Sequence, residues 1–339
     1  MSTFVFACNA VLPIILLILL GYYLRRRGIY NESFLEYGNR FVFQVALPAL
    51  LFYNVYSIEK LQAISWSVVV YGCGMTVVVF LIGIFFVCLY TKDRRKRGVL
   101  LQCIFRSNFA IIGIPLAESI GGSGGMKVAA VLSAFSIPIY NMLAVIALSM
   151  FQTEGLDKRE AIRQVGSKIY KNPLIRGVFL GLICLGIRNL LPKDESTGKC
   201  IITLQDNLPF VYQAVKSVGA IASPFALIVL GGNFHFEAVR GLAKDIAFGT
   251  LWRVAIVPAV ALSVAIVLSA WSDVFHFTYV EYPALIALFG SPVAVASAIM
   301  AKEMNGDDEL ARQLVMWTSI CSMFTIFITI VILKGIAVL

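Results

Sequence analysis

The chain has 339 residues, of which 59% are hydrophobic and only 14% charged, and its mean hydropathy is +0.86. A soluble domain carries charge on roughly 25% of its residues, so this composition excludes that class and indicates a polytopic membrane protein. The formal net charge of +9 then reports which loops face the cytoplasm, and it does not indicate nucleic-acid binding.

Long charge-free runs separate the charged clusters, and each is long enough to cross a bilayer, which takes about 20 apolar residues. Ten spans are predicted in chain order: 4–24, 38–56, 64–90, 99–120, 127–151, 172–191, 207–232, 246–270, 280–301 and 309–337. The first is expected to remain as a span, because no basic residue precedes it and Arg25-Arg26-Arg27 follow it. The predicted fold class is an all-α polytopic membrane protein with ten transmembrane helices.

Basic residues concentrate on one side of the membrane. The loops after spans 1, 3, 5, 7 and 9 contain 18 Lys and Arg, whereas the opposite side contains five. Because basic loops stay cytoplasmic, both termini are predicted to lie outside, in a protein of the cell membrane.

Two landmarks occur twice at nearly the same offset. The first pair is Ile112-Gly113-Ile114-Pro115-Leu116-Ala117 and Phe289-Gly290-Ser291-Pro292-Val293-Ala294, whose prolines lie 177 residues apart. The second is Ala46-Leu47-Pro48-Ala49-Leu50-Leu51 and Ala222-Ser223-Pro224-Phe225-Ala226-Leu227, with an offset of 176. The offsets indicate a duplicated fold.

The charged connector 152–171 is the predicted boundary between the halves. Residues 1–151 and 172–339 each contain five predicted spans. Because five is odd, the second half enters the membrane from the opposite side, which predicts two inverted five-helix repeats.

Spans 4 and 9 are predicted to break at Gly113-Ile114-Pro115 and Gly290-Ser291-Pro292, because proline removes a helix donor and clashes with the preceding turn. Two half-helix N-termini would then meet near the middle of the membrane. Each N-terminus carries about half a positive charge and unpaired N–H groups, which favours an anion such as a carboxylate. The alternative is two proline kinks that only shape packing.

Polar residues beside these breaks complete the predicted substrate site, namely Arg106, Asn108, Tyr140, Asn141 and Ser291. Arg106 would pair with a carboxylate. Alternatively, its aliphatic stem would lie along the apolar segment and place the guanidinium at the cytoplasmic surface. Asn141 would bind substrate, or else form an interhelical hydrogen bond. For Arg253 in span 8 we expect the surface position.

No Asp or Glu lies deep in a span, so coupling through an intramembrane carboxylate is not supported. Coupling to Na⁺ or H⁺ stays open, and sodium could be held by backbone carbonyls at the broken helices and by hydroxyls such as those of Ser136, Ser291, Thr318 and Ser322. The seven cysteines have no metal-ligand spacing, and the two histidines lie in predicted loops. We therefore predict no cofactor, no metal and no enzymatic activity.

Three motifs resemble those of the auxin efflux carrier family. They are Arg106-Ser107-Asn108-Phe109 through Ile112–Ala117, Ile139-Tyr140-Asn141-Met142-Leu143-Ala144-Val145, and Ser291-Pro292-Val293-Ala294 through Ala301-Lys302-Glu303 with Gly306-Asp307. The compact length is similar to that of microbial members rather than the plant PIN-formed exporters, and the family is related to the bile-acid/sodium symporter-like fold.

The resemblance implies a scaffold of spans 1, 2, 6 and 7 and a mobile transport domain of spans 3–5 and 8–10. It further implies an elevator-like motion of a homodimer, with Asn108, Pro115, Asn141 and Pro292 in or near the site where spans 4 and 9 cross. Plant members have an asparagine near the span-9 crossover, whereas residues 289–299 hold no amide side chain here, which disfavours auxin as the substrate.

The sequence thus predicts a secondary carrier of small organic anions that works in the lipid bilayer without nucleic acid. The alternative is a non-transporting membrane sensor or scaffold that binds an anion at the same crossover.

Overall fold

The computed structural model describes residues 3–57, 66–153, 158–190, 203–234, 238–272, 274–336 and 338–339. Within them the chain forms fifteen α-helices. They are α1 (Thr3–Arg26), α2 (Glu32–Phe41), α3 (Leu47–Tyr56), α4 (Trp66–Tyr90), α5 (Arg94–Phe105), α6 (Ile114–Met150), α7 (Lys158–Lys171), α8 (Pro173–Leu190), α9 (Leu204–Asn207), α10 (Pro209–Gly232), α11 (Ala238–Leu251), α12 (Val257–Trp271), α13 (Tyr282–Gly290), α14 (Ala296–Glu303) and α15 (Asp308–Gly335).

The all-helical prediction is confirmed for the described residues. Five helical segments there are long and apolar enough to cross a membrane: Trp66–Tyr90, Phe109–Met150, Pro209–Gly232, Val239–Trp271 and Asp308–Gly335. Large apolar side chains also face outward, for example Phe85 and Leu89 on α4, as expected for a surface in contact with lipid. The ten-span inverted repeat stays a prediction.

Three prolines follow a widened helical turn. The chain forms π turns at Val42–Ala46, Phe109–Gly113 and Trp252–Ile256, and Pro48, Pro115 and Pro258 come two residues after them. Proline has no N–H and its ring collides with the carbonyl four residues earlier, so an extra residue in the preceding turn relieves the collision. The helical backbone therefore continues through these prolines.

The break in the first half was predicted at Gly113-Ile114-Pro115, and this position is wrong. The chain breaks instead at Arg106–Asn108, between the end of α5 and the π turn. In the second half the predicted position is correct, since residues 291–295 separate α13 from α14 and contain Pro292. The difference arises because the π turn accommodates Pro115 inside a helix.

Helix α6 contains the last part of predicted span 4 and nearly all of span 5, joined at Gly122, whose φ of 60° and ψ of −153° are non-helical. A side chain is strained in this region, and glycine is not. Between predicted spans 4 and 5 the chain therefore makes a sharp kink at Gly122.

Two groups of helices result from the packing. In one, α1 lies along α10, α3 along α8, and α10 also contacts α3. Gly21 and Gly231 let the α1 and α10 backbones touch, a close approach that small residues permit. In the other group, α4, α5 and α6 pack together, α13 packs on α6, and α11 and α14 pack on α15. Contacts between α1 and α15 join the groups.

Candidate functional site

The two breaks meet and pair main chain to main chain. Ser107 lies opposite Val293 in an isolated antiparallel bridge. The Asn108 amide donates to the Pro292 carbonyl at 2.8 Å, and the Ala294 amide donates to the Arg106 carbonyl at 3.3 Å. These bonds satisfy backbone groups that the helix breaks would otherwise leave unpaired.

A cavity of about 70 Å³ adjoins this crossover. One ordered water needs about 10–15 Å³ on this measure, so several waters or a small solute would fit. No acidic side chain contributes to its lining, which consists of Leu47, Leu50, Leu51, Asn54, Arg106, Ser107, Asn108, Phe109, Ala110, Ile111, Ile137, Tyr140, Asn141, Leu174, Ala222, Ser223, Ala226, Ala294, Val295 and Ala296.

Arg106 supplies the positive charge of the cavity. Its side chain is buried (3% exposed), and it donates from Nη2 to Asn141 Oδ1 at 2.7 Å and from Nη1 to Met300 Sδ at 2.7 Å. Both acceptors are neutral, and no carboxylate in the described part of the chain forms an ion pair with it. A buried charge with only neutral partners is costly, and an anion in the cavity would offset that cost.

Backbone amides add to this positive potential from both broken segments. In the first segment the amides of Phe109, Ala110 and Ile111 begin the helical turn, and those of Val295 and Ala296 begin α14. None of these five amides donates to an acceptor among the described residues, and all five residues line the cavity. The N-terminal ends of two helices thus face one space, which is the arrangement that binds anions.

Two buried hydroxyls in the lining also have free hydrogen-bonding capacity. Ser107 is 4% exposed and Tyr140 is 3% exposed, and neither Oγ of Ser107 nor Oη of Tyr140 forms a well-aligned hydrogen bond among the described residues, although the Tyr140 hydroxyl lies close to those of Ser107 and Thr76. Buried polar groups are nearly always paired, so unpaired ones beside a cavity indicate a ligand or ordered water.

Arg253 also contacts the crossover segments but lies outside the cavity lining. The expected surface position is wrong, because its side chain is fully buried and donates to four backbone carbonyls. They belong to Ile104, Leu288, Phe289 and Ser291, at the C-terminal ends of α5 and α13. These carbonyls have no further helical donors, so the guanidinium finds its acceptors there instead of at the membrane surface.

Comparison with known proteins places this geometry in context. The family model described as "Membrane transport protein" matches residues 6–330. The chain belongs to this family. It is the auxin efflux carrier group that the three motifs resemble, so that resemblance is confirmed.

Two archaeal members of the family are similar to the chain over nearly its full length. An uncharacterized transporter of Methanothermobacter thermautotrophicus is 22% identical over 330 residues, covering 95% of this chain and 97% of that protein. An uncharacterized transporter of Methanocaldococcus jannaschii is 22% identical over 333 residues, covering 94% and 96%. The protein is therefore a membrane transporter by family.

In this family member, the cavity brings together four of the predicted substrate residues: Arg106, Asn108, Tyr140 and Asn141. Five others lie near the crossover but outside the cavity lining: Gly113, Pro115, Gly290, Ser291 and Pro292. Of these, Ser291 donates its hydroxyl to the Ala287 carbonyl at 2.6 Å. Asn141 has the interhelical bond to Arg106 and also donates to the Ile137 carbonyl at 2.9 Å.

The hydroxyls considered for sodium lie apart from this lining. Thr318 donates to the Leu314 carbonyl at 2.6 Å and accepts the Val293 amide at 3.2 Å, and Ser322 donates to the Ser319 carbonyl at 2.8 Å. Ser136 is fully buried and its Oγ has no partner among the described residues.

Sequence reasoning missed Asn54 and Ser223, which line the cavity from α3 and α10. A signal for Ser223 was present, because it precedes Pro224 in the second repeated landmark. Nothing comparable distinguishes Asn54, whose position depends on how α3 packs against the crossover.

Proposed function

We propose that the protein is a secondary active transporter of small organic anions, with mono- or dicarboxylates as the substrate class. The observation that carries this proposal is the Arg106 guanidinium, buried beside a cavity with only neutral partners. The free amides of Phe109–Ile111 and of Val295 and Ala296 support the same sign of ligand.

The dimensions and polarity of the cavity support a small carboxylate. Its polar groups suit one anionic group: a guanidinium for bidentate pairing, the hydroxyls of Ser107 and Tyr140, and the amide of Asn54. The opposite wall is apolar and includes Leu47, Leu50 and Leu174. A substrate with one charged end and a short apolar body would match both walls.

The helix packing supports an elevator mechanism. The cavity lies between the group containing α3, α8 and α10 and the group containing the crossover and α6. If the first group is the scaffold and the second the transport domain, movement of the second carries the site across the membrane. We further propose a homodimer in the cell membrane with both termini outside, following the family resemblance and the basic loops.

Counterflow in liposomes tests the transport function. Purified protein is reconstituted into vesicles loaded with an unlabelled organic acid, and uptake of the labelled acid is measured against protein-free vesicles. Saturable exchange of short carboxylates, absent for amines and neutral analogues, is the expected result. Saturable binding without exchange would instead support a sensor or scaffold, and exchange of cations alone would contradict the anion site.

A further inference from the structure

The crossover contains a second electrostatic site, which is formed by the C-terminal ends of α5 and α13. Carbonyls of Ile104 in α5 and of Leu288 and Phe289 in α13 converge with that of Ser291. A cluster of backbone carbonyls at interrupted membrane helices is the environment in which transporters hold alkali-metal ions.

This cluster already has a cation. Arg253 Nε donates to Ser291 O at 2.9 Å, Nη1 donates to Ile104 O at 3.2 Å, and Nη2 donates to Phe289 O at 2.8 Å and to Leu288 O at 3.2 Å. Three guanidinium nitrogens therefore act on four carbonyls from both broken segments. The side chain is fully buried, so water does not replace any of these contacts.

The charges match. Each helix C-terminus carries roughly half a negative charge, so two of them balance about one positive charge. Arg253 supplies that charge permanently, because a guanidinium keeps its proton under almost all conditions. No ion pair with a carboxylate competes for it in the described part of the chain.

We propose that Arg253 occupies the position that an alkali-metal ion would take at these helix ends, and that the crossover therefore binds its anion without a co-bound sodium ion. The statement about the anion rests on the proposed function, whereas the statement about the carbonyl cluster does not. Arg253 thus acts as a positioning residue that fixes both helix ends, and Arg106, which lines the cavity, is left to meet the substrate.

Thermal unfolding of the purified full chain tests the cation site without any transport assay. The wild-type protein is expected to unfold at the same temperature in NaCl, LiCl and choline chloride at equal ionic strength. A saturable stabilisation of the wild type by Na⁺ or Li⁺ over choline would overturn the proposal.

Variants at Arg253 provide the second test. In Arg253→Gln the carbonyls lose their cation, so its melting temperature is expected to fall in choline and to recover saturably with Na⁺ or Li⁺. Arg253→Lys retains the charge, so its melting temperature is expected to be the same in all three salts. The same result is expected for the control Arg176→Gln, which removes an exposed arginine of α8. A folded Arg253→Gln that does not respond to either ion would overturn the proposal.

If Arg253→Gln does not fold in any salt, the wild type and Arg253→Lys still test the proposal, since sodium-dependent stability in either one contradicts a resident cation.

Counterflow supplies an independent readout. Exchange of an organic acid at the same rate in sodium and in choline media is expected, and a strict requirement for sodium would overturn the proposal. Absence of exchange in both media would contradict the proposed function and leave the unfolding result to decide the role of Arg253.

Discussion

The backbone amide of Asn108 donates to the carbonyl of Pro292 at 2.8 Å, so the two broken segments are joined through their main chains. Main-chain pairing does not depend on which side chains are present. The side chains are therefore available for a ligand, as with Arg106, and Arg253 neutralises the helix ends. The crossover thus lies between the cavity that we propose binds an anion and the carbonyl cluster that Arg253 contacts.

Replacement of Arg106 tests the anion site directly. Hydrogen bonds to a charged group contribute about 1.5–3 kcal/mol, so Arg106→Gln should weaken carboxylate binding by roughly 10- to 100-fold. The melting temperature should not fall, because the substitution removes a buried charge that has only neutral partners. Binding is measured by ligand-induced thermal shift and by counterflow, with Arg176→Gln as the control. A folded Arg106→Gln with normal affinity would show that the anion binds elsewhere.

A pair of buried tyrosines separates ligand binding from structure. Tyr140 lines the cavity and its Oη forms no well-aligned hydrogen bond among the described residues, whereas Tyr71 Oη donates to the Ala261 carbonyl. Tyr140→Phe should leave the melting temperature unchanged and reduce affinity, by up to about 10-fold for one lost hydrogen bond. Tyr71→Phe should cost roughly 1 kcal/mol of stability and leave affinity unchanged. Equal effects of both variants on binding would refute this assignment.

Asn39 and Glu303 link α2, which packs on α10, to α14. Asn39 Nδ2 donates to Glu303 Oε1 at 2.7 Å, between α2 and the end of α14, and Asn39 is buried. A double-mutant cycle of Asn39→Ala and Glu303→Ala should give a coupling energy of about 1.5 kcal/mol in the free energy of unfolding.

The exposed pair of Arg40 and Glu36 serves as the control for this cycle. Its side chains are 55% and 56% exposed, so a coupling of at most about 0.5 kcal/mol is expected. If α2 and α14 belong to groups that move apart, hydrogen exchange at the end of α14 should also increase in Asn39→Ala. Coupling no larger than in the control would mean that the Asn39–Glu303 contact contributes nothing.

The ion pair of Lys96 and Asp245 predicts a pH dependence at the basic end of α5. Lys96 Nζ lies 2.7 Å from Asp245 Oδ2, and this hydrogen bond is the main reason that the pKa of Lys96 is raised, with smaller contributions from Asp307 and Asp93. A raised pKa in the folded state stabilises the protein below the unfolded value of about 10.4, and the gain is lost as the pH rises through the folded value.

Lys96→Met should therefore lower the unfolding temperature at pH 7 to 9, and the difference from the wild type should shrink above about pH 10.5. Lys92→Met, at an exposed lysine, is the control and should have no effect at any of these pH values. A difference that stays constant to pH 11.5 would show that Lys96 stabilises the fold by packing alone.

The prediction for Pro115 failed for a local reason. Proline in an apolar segment indicates a disturbed helix, but the disturbance can be a widened turn or a complete break. At Pro115 the π turn keeps the helix continuous. The chain breaks at Arg106–Asn108, where Ser107 pairs with Val293 in the isolated bridge. The position of the break depends on the pairing of Ser107 with Val293, 186 residues further along the chain, and no local sequence pattern reveals that pairing.

The amino-acid sequence by itself determined the helical membrane class, the family and four side chains of the cavity, because hydropathy, proline position and the Arg106–Asn108 motif are local properties of the chain. Only the tertiary structure decided the positions and hydrogen-bond partners of Arg106 and Arg253. Both are isolated arginines in apolar segments, and each could extend to the membrane surface or remain buried. The acceptors available decide between these outcomes: Arg253 meets four carbonyls at two helix ends, whereas Arg106 meets two neutral groups and an open cavity.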